Sequence, residues 1–219
     1  MNVKLLAVSC VMAVMGIGGY FLTAPSADRP AGLSLGAAKA QTADVDTSVI
    51  VDMALGAEDA PVTVIEYASF TCPHCRRFHE GPFKDIKSNY IDTGKVRFVY
   101  REVYFDRFGL WGSIIARCGG EDRFFGITDM LYAQQQTWSR GAPADIAGNL
   151  RRIGLSAGLT SDQVEACFTD AEMAQTLVAW YEENAQADDV RSTPTFLING
   201  TKYSNMSYED FENVIQDLM

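Results

Sequence analysis

The sequence predicts an α/β fold, a mixed sheet that carries an inserted all-helical subdomain. Three observations predict it. A short β-branched strand runs directly into a proline-started helix, a second strand follows, and a long stretch of helical period separates these from a terminal strand pair.

Val62–Tyr67, behind Pro61, is a β-branched run bounded by turn signals and reads as a buried strand. Pro73 suits a first helical turn, where its missing N–H would have had no partner, so a helix from about Cys72 to Tyr90 is expected. Gly81-Pro82 should kink or interrupt it. Beyond Gly94, Val96–Val103 reads as the second strand of a βαβ crossover. From about residue 109 to 187 the period becomes helical, with Phe124, Ile127 and Leu131, then Met173, Leu177 and Trp180, at three- and four-residue spacing. Thr160 and Gln163 form a capping-box signature before Val164, so several short helices are expected there. Thr195–Ile198 gives a strand, Asn199-Gly200 a type I′ turn and Thr201–Tyr203 its partner, and Ser207 caps a last helix reaching Leu218.

The 219 residues, 47% apolar and 21% charged, exclude a disordered, collagen-like or polytopic membrane class. Lys4 followed by the uncharged apolar run Leu5–Leu22 has the order of an export signal, and its length also suits a spanning anchor. Ala38-Lys39-Ala40 fits a small-x-small cleavage pattern, so residues 1–40 are either a cleaved signal or an anchor with its linker. Cys10 follows too short an apolar run to be read as a lipid-modified cysteine. Residues 25–48 read as a flexible linker, and folding is expected to begin near Val49 within a domain spanning 41–219. Without residues 1–40 the chain has 15 basic and 27 acidic residues, a charge of −12 that repels nucleic acid and anionic lipid.

Cys72, Cys75, Cys118 and Cys167 lie beyond the signal segment, an even number in an exported chain, which suggests two disulfides. Five cysteines in this length would give a pair at the Cys72–Cys75 spacing roughly 0.1 times by chance. The spacing is sharpened by its place at a strand end and helix start, where orphan N–H groups and the helix dipole stabilise a thiolate, most of all at Cys72. His74, between the sulfurs, can add a donor or a positive charge beside Cys72, so replacing it is expected to raise the Cys72 pKa. Cys118 and Cys167 fall in the helical insertion and are expected to form a structural disulfide, the alternative being two buried thiols. Cys72, Cys75 and His79 have tolerable zinc spacing, but the proline-started helix and an oxidising compartment favour a disulfide. His79 reads as an ordinary helix-surface residue. No metal and no cofactor are expected.

The segment Glu66-Tyr67-Ala68-Ser69-Phe70-Thr71-Cys72-Pro73-His74-Cys75 resembles the active-site segment of DsbA-type oxidases, and Val190-Arg191-Ser192-Thr193-Pro194-Thr195-Phe196 resembles the cis-proline segment of thioredoxin-fold proteins. The likeness covers residues 49–219 and implies a thioredoxin-like sheet. DsbA proteins are themselves the reference case for a strongly depressed cysteine pKa and an oxidising disulfide, so both come with the resemblance. It further implies that Pro194 is cis and faces the disulfide, that the Thr193 backbone pairs with extended substrate, and that Glu66 is a partly buried acid able to relay a proton to Cys75. Thr193 stands where such proteins often carry an apolar residue. The alternative for Glu66 is the exposed edge of the strand, and Arg97 or Arg101 could be its charge partner.

The implied activity is introduction of disulfides into newly exported, reduced and unfolded polypeptides in the periplasm, with reoxidation by a membrane thiol oxidase of DsbB type. A monomer is expected. A disulfide isomerase or reductase, and a non-catalytic peptide-binding chaperone, are the alternatives. Residues 41–60 are too few for the N-terminal dimerisation domain that such isomerases usually carry.

Overall fold

The computed structural model describes residues 45–219. The signal or anchor over 1–40, the Ala38-Lys39-Ala40 pattern, Cys10 and the linker up to residue 44 lie outside the described residues.

Strands β1 (Met53–Leu55), β2 (Val62–Ala68), β3 (Val96–Glu102), β4 (Thr195–Ile198) and β5 (Thr201–Ser204) form a mixed sheet in the order β1-β3-β2-β4-β5. Only β2 and β3 run parallel, Glu66 opposite Tyr100, and the crossover that a parallel pair requires is the helical stretch from residue 73 to 91. Asn199 and Gly200 turn β4 into β5 with φ of 44° and 82°, the left-handed pair that a type I′ turn demands. The edge strand β1 was not expected, because three residues carry no readable alternation; pairing with β3 makes it a strand.

The helix expected after Cys72 is two helices, α1 (Pro73–Glu80) and α2 (Pro82–Ile86), broken at Gly81, and α2 continues as a π-turn over Lys87–Ile91. The insertion holds α3 (Arg107–Cys118), α4 (Glu121–Ala133), α5 (Gln135–Trp138), α6 (Pro143–Ser156), α7 (Ser161–Thr169) and α8 (Ala171–Ala187), and α9 (Tyr208–Asp217) ends the chain. Thr160 caps α7 with the reciprocal Gln163 contact, and Ser207 caps α9.

Alternation on β2 divides the core. Val62, Val64, Glu66 and Ala68 are buried on the face covered by α1, α2 and α9, where Phe78, Phe83, Phe196 and Phe211 pack ring to ring. Tyr67 and Leu197 form a smaller cluster with Val103 and, on α8, Tyr181. Charged groups tie this second side down: the Arg101 guanidinium donates to both Asp52 oxygens at 2.9 and 2.8 Å and to the Tyr67 hydroxyl at 2.9 Å. Arg117 on α3 forks onto buried Glu102 at 2.6 and 2.7 Å and donates to the Val51 carbonyl, fastening the segment before β1 across the sheet.

Cys118 at the end of α3 is bonded to Cys167 within α7, across 49 residues. Closing a loop of that length restricts the unfolded chain by roughly 4 kcal/mol on the chain-entropy model, less any strain. Replacing both with alanine is therefore expected to lower unfolding free energy by up to about 4 kcal/mol in denaturant titration, and non-reducing peptide maps should show the two peptides linked.

Candidate active site

Cys72 and Cys75 stand where the central strand β2 hands over to α1. Cys72 is the N-cap of α1, with extended backbone at φ −78° and ψ 121°, and Pro73 takes the first helical position. The Cys72 N–H donates to the Ser69 carbonyl at 3.0 Å, closing a tight loop over Ser69–Thr71. Cys72 keeps 9% of its surface exposed and Cys75 none.

The two sulfurs are opposed electrically. The Cys72 pKa is lowered to about 5, first by a hydrogen bond from the Cys75 thiol, which outweighs burial, then by the Thr193 side chain and the main-chain N–H groups of Cys75 and His74. Burial pushes the Cys75 thiol well above its ordinary range, and its hydrogen bond to Cys72 and the charge of Glu66 push the same way. Cys72 is thus the thiolate and Cys75 the thiol at neutral pH.

The main chain of His74 supports the thiolate, whereas its exposed ring turns outward and its Nδ1 lies 2.8 Å from the Arg77 guanidinium. The contribution expected of the imidazole therefore comes through the backbone N–H, since a helix start aims its amides, and not its exposed side chains, at the N-cap sulfur. The Thr193–Pro194 bond is cis, and Cys72 Sγ is 3.5 Å from the Thr193 carbonyl oxygen. Thr193 Oγ1 is buried with no nitrogen or oxygen partner.

Glu66 is fully buried on β2, in phase with Val62 and Val64, so the exposed-edge alternative does not apply. Neither Arg97 nor Arg101 is its partner. They occupy odd positions of β3, on the face opposite Tyr100, and Arg101 is engaged by Asp52 and Tyr67. The partner is His79, 3% exposed and with Nε2 2.7 Å from Glu66 Oε2, so the helix-surface reading of His79 is wrong. A signal was present: Cys75, Phe78 and His79 share one stripe of α1 at helical spacing, and that stripe is the buried one. Burial pushes the Glu66 carboxyl up against the opposing pull of His79.

Three further residues hold the site and gave no sequence signal. Gln135 of α5 is buried and its amide donates to the carbonyls of Phe70 at 2.8 Å and Cys72 at 2.9 Å. Asp106 caps α3 and accepts from the Thr71 hydroxyl at 2.7 Å. The Tyr132 hydroxyl pairs with that of Tyr100 at 2.6 Å and reaches the Ser69 carbonyl at 3.3 Å. Gly112 lets α3 lie against the loop, since a Cβ there would meet Phe70 at 3.2 Å. Among the described residues no cluster has the makings of a metal site.

Gln135→Leu would leave the Phe70 carbonyl unpaired, the Cys72 carbonyl keeping the Arg76 N–H, so unfolding free energy is expected to fall by about 1–3 kcal/mol in denaturant titration. Thr193→Val is expected to raise the Cys72 pKa above about 5, read from thiolate ultraviolet absorbance against pH, because a donor to the thiolate is lost.

A family model described as thioredoxin matches residues 48–217. A Rickettsia bellii protein provisionally named a protein-disulfide oxidoreductase is 34% identical over 165 residues, which span 75% of this chain and 63% of that protein. The chain thus spans less than two thirds of the length of this relative, and 60% of a Rickettsia typhi protein of similar name. Disulfide bond formation protein D of Bacillus subtilis is 27% identical, with 74% of each chain aligned. The crystal structure of Wolbachia pipientis alpha-DsbA1 superposes with a TM-score of 0.70 at 28% identity, covering 76% of this chain and 90% of the other. By the family match over most of its length and the likeness of its fold to alpha-DsbA1, the chain belongs to the thioredoxin family as a DsbA-like member.

Proposed function

We propose that this chain is a protein-disulfide oxidoreductase, acting as an exported oxidase on reduced polypeptides through Cys72 and Cys75. The observation that carries the reading is the asymmetry of the sulfurs: a Cys72 that keeps 9% of its surface exposed, with its pKa near 5 at a helix start, over a fully buried Cys75 pushed the other way. A substrate thiolate attacks Cys72 Sγ, the Cys72–Cys75 bond breaks, and Cys75 leaves with the electron pair and takes a proton. A second substrate thiolate then attacks the substrate sulfur of the mixed disulfide, and Cys72 departs as a thiolate. Two substrate thiols become one disulfide, and the protein disulfide becomes a dithiol. The low Cys72 pKa favours this direction, because it speeds the departure of Cys72 and stabilises the reduced form.

In this reading Pro73 starts the helix, the Thr193 backbone beside cis-Pro194 aligns an extended substrate, and His74 contributes its N–H to the thiolate. Glu66 exchanges a proton with Cys75. The Cys118–Cys167 disulfide is structural. Residues 41–219 act as one unit that includes the helical insertion. Residues 1–40 direct it to the periplasm, cleaved or as a tether, where a membrane thiol oxidase of DsbB type restores the disulfide. Export is tested by fractionating cells and sequencing the N-terminus of the recovered protein. Recovery only from the cytoplasm excludes the exported role.

Cys75→Ser is expected to accumulate substrate adducts on Cys72 and Cys72→Ser to accumulate none; abundant adducts in Cys72→Ser alone would reverse the assignment. The thiolate absorbance of the reduced protein should titrate near pH 5. Depressed in the fold, the Cys72 pKa adds stability to the reduced protein that is full above the ordinary thiol range and vanishes as pH falls through about 5. In a glutathione titration the couple should be well above the about −270 mV of thioredoxin. A value near thioredoxin's favours a reductase, and a wild-type protein with no exchange in peptide oxidation or insulin reduction favours a peptide-binding chaperone.

A further inference from the structure

Beneath the two sulfurs the fold encloses an acid and an imidazole. Glu66 comes from β2, and His79 from α1, four residues after Cys75 and so one turn below it on the same face. Their oxygen and nitrogen are 2.7 Å apart, with side chains 0% and 1% exposed. Each keeps one open position: Glu66 Oε1 and His79 Nδ1 are buried with no partner among the described residues. Buried polar atoms are nearly always paired, so a carboxyl held at one oxygen and open at the other calls for an explanation.

The titratable groups facing the pair are few. From α1 there are Cys72 and Cys75: the charge of Glu66 bears on Cys75, and that of Cys72 bears on Glu66. From β3 comes Tyr100, opposite Glu66 in register, and from α4 Tyr132, whose ring stacks on His79 at 4.4 Å. The two phenols bond to each other and burial holds both above the phenol range, so neither supplies a proton. Phe83 of α2 lies against the imidazole at 4.6 Å, and Phe196 of β4 is opposite Glu66 in register. Among the described residues no lysine or arginine hydrogen-bonds to the pair. The dithiol is the chemistry that this pair faces.

We propose that His79 is the positioning residue for the proton exchange between Glu66 and Cys75, its imidazole letting the carboxyl give and retake the proton during thiol–disulfide chemistry. The inference rests on the oxidoreductase reading above. When substrate sulfur bonds to Cys72 and the Cys72–Cys75 bond breaks, its electron pair leaves on Cys75 Sγ. The carboxyl O–H of Glu66 breaks and the Cys75 S–H bond forms. His79 Nε2–H then donates to the carboxylate left behind. On reoxidation the electron pair of Cys75 forms the S–S bond, and its proton returns to Glu66. A neutral imidazole can donate or accept at Nε2 as the acid changes charge, whereas a lysine or arginine cation can only donate. The proton thus circulates inside the core.

The test compares the wild-type chain with Glu66→Gln, His79→Gln and the double variant. Formation of the Cys72–Cys75 disulfide and oxidation of a reduced two-cysteine peptide are followed by stopped flow across pH. Each single variant is expected to slow exchange about tenfold or more and to flatten the pH profile, with the double variant no slower than either single, because residues acting as one unit are not additive. A His79→Gln profile that overlays the wild type, or a double variant slowed by the product of the singles, overturns the inference. Absence of exchange in the wild type sinks the oxidoreductase reading instead. If His79→Gln does not fold, the ring nitrogens of His79 are followed by NMR in nitrogen-labelled wild type. Their shifts should differ between oxidised and reduced protein, and identical shifts overturn the proposal.

Discussion

The N-terminus of α1 is the place to which the rest of the molecule is fitted. A helix start leaves amide N–H groups without intrahelical partners, and here the N-cap residue is Cys72, whose thiolate the main-chain N–H groups of His74 and Cys75 favour. The strand–loop–helix turn that puts Cys72 there also drives Cys75 one turn deeper, into full burial. One placement therefore generates both halves of the asymmetry: amides and the Cys75 thiol stabilise charge on the first sulfur, and lost solvation opposes it on the second. Without the proline-started helix the motif would be two cysteines in a loop.

The helical insertion acts on this turn from the outside. Gln135 bonds the two carbonyls on either side of Thr71, Asp106 takes the Thr71 hydroxyl while capping α3, and α3 lies so near Phe70 that a Cβ at 112 would meet its side chain at 3.2 Å. The loop carrying Cys72 is thereby held from α3, α4 and α5, while the Thr193 carbonyl lies 3.5 Å from the sulfur. Such bracing matters because exchange needs sulfurs in line, and a short loop with loose carbonyls would let the helix start drift. The insertion is itself braced by Cys118–Cys167 and by the buried Arg117–Glu102 fork, which ties α3 to the end of β3.

Two kinds of buried charge coexist in the structure. Arg117 and Glu102 form a bidentate pair in which most hydrogen-bonding capacity is used, so it serves as a fastening. Glu66 and His79 form a single contact with an open atom on each side, under the sulfurs. The first arrangement resists change in charge, and the second is built to tolerate it.

The order of strands and helices, the break at Gly81-Pro82, the caps at Thr160 and Ser207 and the Asn199-Gly200 turn were legible in the sequence, because each rests on local backbone chemistry or on a period running through neighbouring residues. The setting of Cys72 was legible for the same reason, since the proline directly after it marks the helix start that lowers its pKa. Strand β1 was not, being too short to show a period, and it exists through its pairing with β3. Nor could local pattern give the partners of long polar side chains. Arg101 and His79 were read the wrong way round, the arginine as a candidate for Glu66 and the histidine as a surface group. Which face of β3 an arginine occupies, and which stripe of α1 is covered, follow from how strand and helix pack across the sheet. Gln135 and Asp106 meet the redox loop from 63 and 35 residues away, and contacts at that distance leave no trace in spacing; only the tertiary fold, which brings distant chain segments within hydrogen-bonding reach, decides them.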